Sequence, residues 1–213
     1  MITRRALLGA GALLATSPSF GAPSYTPGQQ YLVLNPPVAS DPNKIQVIAF
    51  FAYTCPHCLN FEPTLEEWMK TVPADVEVTR CPVAWQPKYF PFSETYYALE
   101  ALGLLDKLSR PFFESVIYQT HSYNADSAAN DILDFMVKNG VDAEKWKATV
   151  RSFGVQNRNR VAFQLWQAYG IDSTPMVGVA GRFTTGPHLV GSRNAMPDAL
   201  NYLIDQVRQS RKG

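Results

Sequence analysis

The sequence feature that most constrains the fold is a pair of cysteines at the junction of a predicted strand and a predicted helix. Residues 45–53 form a nearly continuous apolar run, and the motif Cys55-Pro56-His57-Cys58 follows it. Apolar residues then recur at helical spacing over residues 58–72. At a helix N-terminus the free backbone N–H groups and the helix dipole favour an anion. Cys55 is therefore predicted to be an acidic, reactive thiol.

The pattern around this motif predicts an α/β fold. A second strand follows at residues 76–81, so that residues 45–81 form a strand–helix–strand unit with two parallel strands. The cysteines then lie at the carboxyl end of the first strand, where open α/β sheets carry their chemistry. A hairpin at residues 176–185 and an amphipathic helix at residues 196–207 are predicted to complete the sheet domain.

Between these parts, residues 93–169 show helical patterns only. Ser127 and Asp142 are predicted to cap the N-termini of two of these helices. Gly140 and Gly170 are predicted to end helices in the left-handed conformation. This stretch therefore predicts a helical insertion within the α/β fold.

The N-terminus is predicted to be a signal peptide, residues 1–21. Arg4 and Arg5 precede a short apolar stretch, and small residues stand near Gly21 where a peptidase would cleave. The stretch is too short to span a bilayer. Paired arginines also occur in twin-arginine signals, so the export route stays open. The mature chain would hold 17 basic and 18 acidic residues without a charge run, which argues against nucleic-acid binding.

The CxxC motif is compatible with a redox pair, a zinc site or an inert disulfide. Zinc sites need about four ligands, and the other candidates, Cys81, His121 and His188, have no ligand-like spacing. We therefore predict no metal site. Tight or exposed disulfides are commonly the labile ones, and export places the pair where disulfides persist. These arguments favour the redox interpretation.

In that interpretation Cys55 is the sulfur that is attacked, and Cys58 is covered one helical turn further on. Pro56 suits the first turn because it lacks an N–H that would have no partner. His57 is predicted to stabilise the Cys55 thiolate. A disulfide whose reduced form is stabilised is an oxidant, so the pair is predicted to donate a disulfide without any organic cofactor.

Residues 48–58, Phe61-Glu62-Pro63, Thr174-Pro175 and the helical block together resemble the DsbA-type thiol:disulfide oxidoreductases of the bacterial periplasm. The resemblance covers the mature chain. It implies a thioredoxin-like domain of residues 22–88 and 170–213 and a helical insertion of residues 89–169. It also implies a cis peptide at Thr174–Pro175, with Thr174, Pro175 and Met176 contacting the substrate.

The resemblance further implies the partners of the protein. Reduced exported proteins would be the substrates, and a quinone-linked membrane oxidase of the DsbB type would restore the disulfide. Only residues 22–44 precede the central strand, which leaves no room for the dimerisation domain of related isomerases, so a monomer is expected. A disulfide isomerase or reductase and a non-catalytic peptide-binding chaperone are the alternatives.

Two residues depart from the family pattern. Ala49 occupies a strand position where many members carry a buried acidic residue that assists proton transfer. Glu62 is a candidate substitute for that residue, the alternative being a dipole partner on the solvated face of the helix. Cys81 is an odd third thiol, either regulatory or a small buried apolar residue. The sequence favours the buried role for Cys81.

Overall fold

The computed structural model of the protein describes residues 25–124 and 126–212. The predicted signal peptide, residues 1–21, lies outside the described residues. Five strands form one mixed sheet in the order β1-β5-β4-β2-β3. They are β1 (Leu32–Val33), β2 (Ile45–Phe51), β3 (Val76–Pro82), β4 (Met176–Val179) and β5 (Phe183–Thr185).

The central strand β2 joins the two halves of the sheet. It pairs in parallel with β3, as the sequence predicts, and antiparallel with β4. All of its residues except Gln46 are buried, because a strand with both faces covered can be apolar along its whole length. Alternate β2 side chains enter two different cores, with Val47 and Ala49 on one side and Ile48 and Phe50 on the other.

Helix α1 (Pro56–Met69) connects β2 to β3 and begins at the CxxC motif. Its N-cap is Cys55, and Pro56 occupies its first turn. The helix ends three residues before the predicted end at residue 72. One reason is the last turn, in which the backbone N–H groups of Lys70 and Thr71 donate i→i−3 hydrogen bonds to the carbonyls of Glu67 and Trp68. The other is Pro73, which disfavours helical backbone angles at the residue before it.

Between residues 90 and 168 all described regular structure is helical. The helices are α2 (Phe90–Ala101), α3 (Arg110–Ile117), α4 (Ala128–Lys138), α5 (Ala143–Val150) and α6 (Phe153–Ala168), with a π-helical turn at Leu105–Ser109. They lie within residues 89–169, the stretch predicted as an insertion. The division of the chain into two domains stays a prediction.

The four predicted helix caps lie at the expected positions. Asp142 Oδ1 accepts a hydrogen bond from Lys145 N at 2.8 Å, and Gly140 and Gly170 have φ values of +84° and +62°. Ser127 is the N-cap residue of α4, but its side chain accepts no capping hydrogen bond. Its hydroxyl donates to Asp131 Oδ2 at 2.8 Å, since short hydroxyl side chains readily bond to nearby groups of the same segment.

Tyr169, just after α6, fixes the helical block to the sheet. Its ring lies over Gly178 in β4, where an added Cβ would come within 2.3 Å of Tyr169 Cε1. Its hydroxyl accepts a hydrogen bond from Gly181 N at 3.0 Å, in the turn between β4 and β5. The ring also packs against Phe50 of the central strand. One side chain thus contacts β2, β4 and the turn between β4 and β5.

The C-terminal part closes one face of the sheet. The β4–β5 hairpin is present as predicted, within residues 176–185. A short helix, α7 (Pro187–Val190), and a long helix, α8 (Met196–Ser210), follow it. Leu200, Leu203 and Val207 of α8 are buried in the core that also contains Val47.

Among the described residues, no helix is both long and apolar enough to cross a membrane.

Candidate active site

The two cysteines of the CxxC motif lie at the carboxyl end of β2, in the first turn of α1. Both are free thiols in this structure. Cys55 is partly exposed, whereas Cys58 is 1% exposed. Pro56 and His57 between them are exposed. The sequence therefore places an accessible sulfur and a covered sulfur one helical turn apart.

The environment of Cys55 favours the thiolate. Cys58 N donates to Cys55 Sγ at 3.4 Å, so the sulfur is the side-chain cap of α1. When protonated, the Cys55 thiol donates to Thr174 O at 3.3 Å, a bond that the thiolate does not make. The hydrogen bond from the Cys58 side chain lowers the pKa of Cys55 most, and bonds from the Thr174 side chain and from the backbone N–H groups of Cys58 and His57 lower it further. Partial burial acts in the opposite direction, and the resulting pKa of Cys55 is about 6.

The environment of Cys58 favours the protonated thiol. Burial raises the pKa of Cys58 strongly, and the hydrogen bond and negative charge of Cys55 raise it further. Two groups whose pKa values are driven apart in this way take different roles. Cys55 can leave or attack as a thiolate, whereas Cys58 holds a proton when reduced.

Thr174–Pro175 lies beside the cysteines and is a cis peptide, the isomer that the resemblance implies. Thr174 is partly exposed and Pro175 is buried. Met176 begins β4 and is 3% exposed. A substrate contact by Met176 would therefore use its backbone and not its side chain. Its role and those of Thr174 and Pro175 in substrate binding stay predictions.

Glu62 forms an ion pair with Arg80 on β3. Arg80 Nη2 lies 2.7 Å from Glu62 Oε2, and the two side chains are 22% and 15% exposed. Arg80 is also the register neighbour of Ala49 on β2. Glu62 is thus turned toward the sheet and paired, in contrast to a solvated helix face. Its role in proton transfer stays a prediction.

A cavity of about 290 Å³ lies beside this ion pair, between α1, the sheet and the helical block. Leu59, the neighbour of Cys58, lines the cavity together with Glu62, Arg80 and Ser109. Sequence reasoning missed Arg80. The available signal was a single basic residue in an otherwise alternating strand, Val76–Pro82.

Cys81 lies away from solvent at the end of β3 and is 2% exposed. Its thiol lies 3.7 Å from Ala162 O on α6, and burial raises the pKa of Cys81 to about 12. The prediction that Cys81 is buried is confirmed. A thiol that stays protonated is a poor nucleophile, which argues against a regulatory role.

No group of three or more His, Cys, Asp or Glu side chains within residues 25–124 and 126–212 is arranged to hold a metal ion. The absence of a metal site in the whole protein stays a prediction.

His57 contributes to the low pKa of Cys55 through its backbone N–H. A contribution from the His57 ring stays a prediction as well.

Comparisons with known proteins agree with this site. A family model described as Thioredoxin matches residues 41–205. The thiol:disulfide interchange protein DsbA of Bordetella parapertussis is 39% identical over 207 residues, covering 97% of this chain and 96% of the relative. DsbA of Pseudomonas aeruginosa PAO1 is 32% identical over 206 residues, covering 94% of this chain and 96% of the relative.

A crystal structure of Pseudomonas aeruginosa DsbA superimposes with a TM-score of 0.81 at 30% sequence identity, over 89% of this chain and 97% of that one. The predicted thioredoxin-like α/β fold with a helical insertion is thereby confirmed. The cysteine pair lies at the strand-to-helix junction that the sequence indicates. The chain belongs to the DsbA family of thiol:disulfide interchange proteins and is a thiol:disulfide oxidoreductase of the thioredoxin superfamily.

Proposed function

We propose that the protein is a periplasmic oxidase that donates the Cys55–Cys58 disulfide to reduced exported proteins. The observation that carries the proposal is the contrast between the two thiols, with the pKa of Cys55 lowered to about 6 and that of Cys58 raised. A stabilised Cys55 thiolate favours the reduced pair over the disulfide, and a disulfide that is easily reduced is an oxidant.

The reaction follows from the exposure of the two sulfurs. A substrate thiolate attacks Cys55 Sγ, the only accessible sulfur of the pair, and the Cys55–Cys58 bond breaks. Cys58 leaves and takes up a proton, as its raised pKa favours. A second substrate thiolate then attacks the substrate sulfur of the mixed disulfide, and Cys55 leaves as a thiolate. The substrate loses two electrons, and the cysteine pair gains them.

Glu62 is our candidate for the group that passes a proton to Cys58. It stands one helical turn after Cys58 and borders the same cavity as Leu59. Its carboxylate is held by Arg80, which fixes its position. Thr174 and Pro175 are the candidates for holding an extended substrate segment beside Cys55, because Thr174 O already lies 3.3 Å from the sulfur.

The donated disulfide has to be restored for a new cycle. We propose that a quinone-linked membrane oxidase of the DsbB type accepts the two electrons from the reduced pair. We also propose that the protein acts as a monomer after export and removal of residues 1–21. The support for these steps is membership of the DsbA family.

Equilibration with glutathione buffers tests the proposal. The Cys55–Cys58 disulfide should be reduced already in weakly reducing buffer, as judged by alkylation and mass spectrometry. A reduced two-cysteine peptide should then be oxidised by one equivalent of the protein. A disulfide that persists in strongly reducing buffer would contradict the oxidase proposal. A stable dimer that rearranges scrambled disulfides would point to an isomerase instead.

A further inference from the structure

A groove beside Cys55 has a basic lining. Its walls are the first turn of α1, the Thr174–Pro175 loop and the turn that follows α7. We call it the basic groove and define it by His57, Asn60, Thr174, Pro175, His188 and Arg193. Its volume is about 380 Å³. A polypeptide joined to Cys55 by a mixed disulfide and lying along Thr174 would enter this groove.

Two glycines hold the outer wall of the basic groove in place. At Gly186 an added Cβ would lie 2.7 Å from Met176 Sδ and 3.0 Å from Pro175 O, so α7 packs directly against the Thr174–Pro175 loop. Gly191 ends α7 with φ +90°, a conformation that other residues rarely adopt. The position of His188 and the following turn is therefore set by the backbone.

The turn that carries Arg193 is itself capped. Ser192 Oγ accepts a hydrogen bond from Ala195 N at 3.2 Å and closes a short 3₁₀ helix, Arg193–Ala195. Within residues 25–124 and 126–212, the Arg193 guanidinium forms no ion pair or side-chain hydrogen bond, and Arg193 is exposed. A permanent charge is thus presented to the groove without a partner from the described chain.

The groove lining contains no aspartate or glutamate. Arg193 supplies a full positive charge, and the side chains of His57, His188 and Asn60 supply hydrogen-bond donors. The N-terminus of α1 adds the positive end of the helix dipole. The mature chain, with 17 basic and 18 acidic residues, would have a formal charge of −1, so the positive charge at the groove comes from its own lining and not from the protein as a whole. Guanidinium groups pair with carboxylates through two parallel hydrogen bonds.

We propose that the basic groove binds a carboxylate side chain of the substrate polypeptide, so that cysteines with an aspartate or glutamate close by in sequence are oxidised fastest. This inference rests on the proposed oxidase function and specifies the substrates that it prefers. Arg193 is the residue that sets the preference. Because the groove is open to solvent, the gain is that of an exposed ion pair, about threefold in rate at low salt.

The test uses three two-cysteine peptides that differ only in the residues flanking the first cysteine, which are Glu, Gln or Lys. Each is mixed with the oxidised protein, and the second-order rate constant is measured by acid quench and mass spectrometry. The Glu peptide should react about threefold faster than the Gln peptide at about 0.01 M salt, and this ratio should approach one at about 1 M salt, where charges are screened.

Two variants separate Arg193 from the general charge of the protein. Arg193→Gln should bring the Glu-to-Gln ratio close to one, and Arg193→Glu should make the Lys peptide the fastest. The matched control is Arg160→Gln on α6, an arginine outside the groove, which should keep the full ratio. Circular dichroism of each variant checks that the fold is unchanged.

The outcomes distinguish the two proposals. If all three peptides are oxidised at equal rates, or if the Glu preference survives in Arg193→Gln, the basic groove does not select carboxylates, although the oxidase function stands. If none of the peptides is oxidised, the oxidase proposal fails, independently of the groove.

Discussion

The outer and inner halves of the CxxC motif lie one helical turn apart but have opposite surroundings. The outer half, with Cys55 and His57, borders solvent and the Thr174–Pro175 loop. The inner half, with Cys58, belongs to a core rich in aromatic residues that includes Phe51 and Tyr53. The comparison teaches that identical thiols acquire different chemistry from position alone, since burial penalises a charge that backbone N–H groups would otherwise stabilise.

The two halves also depend on different parts of the chain. The outer half is built by α1 and the loop before β4. The aromatic core of the inner half includes side chains of the helical block, among them Phe112 and Phe113, which pack edge-on against Tyr53. The helical block therefore helps to exclude water from the covered thiol, while the sheet domain presents the reactive one.

The largest effect is expected from removing each sulfur in turn. Reduced Cys58→Ser should form a mixed disulfide with oxidised glutathione at Cys55. Reduced Cys55→Ser should react more than about a hundredfold more slowly at neutral pH, because the thiolate is the nucleophile and its fraction falls tenfold per unit of pKa. Mass spectrometry after acid quench measures both rates. Equal rates would show that the Cys55 and Cys58 thiols do not differ in reactivity.

The pH dependence of stability tests the outer half. The pKa of Cys55 is about 6 in the folded protein and 9.0 for an ordinary cysteine. Ionisation of Cys55 therefore stabilises the reduced fold. The stabilisation is complete above pH 9, and it is lost as the pH falls through 6. The free energy of unfolding of the reduced form should rise between these limits by at most about 1.4 kcal/mol per pH unit. Above pH 9, ionisation of Cys58 in the unfolded chain opposes the gain.

The oxidised form is the control for this measurement, because it has no thiol at these positions. Urea unfolding of the reduced and oxidised forms at several pH values gives the difference directly. Cys55→Ser cannot form the disulfide and has no thiol at position 55, so its free energy of unfolding, compared with that of the oxidised protein, should not rise in this way between pH 6 and pH 9. A difference that does not change with pH in the unmodified protein would contradict the low pKa of Cys55.

The ion pair beside the inner half should have the next largest effect. Glu62→Gln leaves the largely buried Arg80 with only the more distant carboxylate of Glu66, at 3.9 Å, which should lower the free energy of unfolding by about 1 to 3 kcal/mol. If Glu62 passes the proton to Cys58, peptide oxidation should also slow while the pKa of Cys55 stays low. The matched control is Glu67→Gln, which removes an exposed pair with Lys70 and should cost less than about 0.5 kcal/mol. Equal costs would contradict the assignment.

The smallest effect is expected at the hydrogen bond between Tyr53, two residues after β2, and the helical block. Tyr53 Oη and Ser109 Oγ are 2.7 Å apart, and Tyr53→Phe should lower the free energy of unfolding by about 1 kcal/mol. A double-mutant cycle with Ser109→Ala isolates the pair. Tyr118→Phe, at a side chain that is 65% exposed, should have no effect. A coupling energy of zero would show that the hydrogen bond contributes nothing to stability.

Local patterns were sufficient to predict the parts of the site that lie close together in the sequence. The apolar strand, Pro56 in the first turn and the helix after it all follow from short-range spacing. The accessible and covered positions of Cys55 and Cys58 follow from the same pattern, because Cys55 precedes the helix as its N-cap, whereas Cys58 lies in the first turn on the buried, apolar face. These features were therefore predictable from a stretch of about 25 residues.

Features that depend on contacts between distant segments were not predictable. The pairing of Glu62 with Arg80 requires the register of β2 with β3 and the rotation of α1 on the sheet. Arg193 reaches the neighbourhood of His57 only through the packing of α7 against the Thr174–Pro175 loop. Ser127 shows a different limit, since the pattern predicts its position at the N-cap of α4 but not that its hydroxyl donates to Asp131.

The contact of Tyr169 with Gly178 has a consequence for the evolution of this chain. The tyrosine ring occupies the space that any side chain at position 178 would need. Exchange of the glycine alone is sterically blocked, so a larger residue at 178 requires a smaller one at 169. Positions 169 and 178 are thus expected to change together during evolution. A chimera that takes its helical block from a homologue should fold only when the residues at both positions come from the same protein.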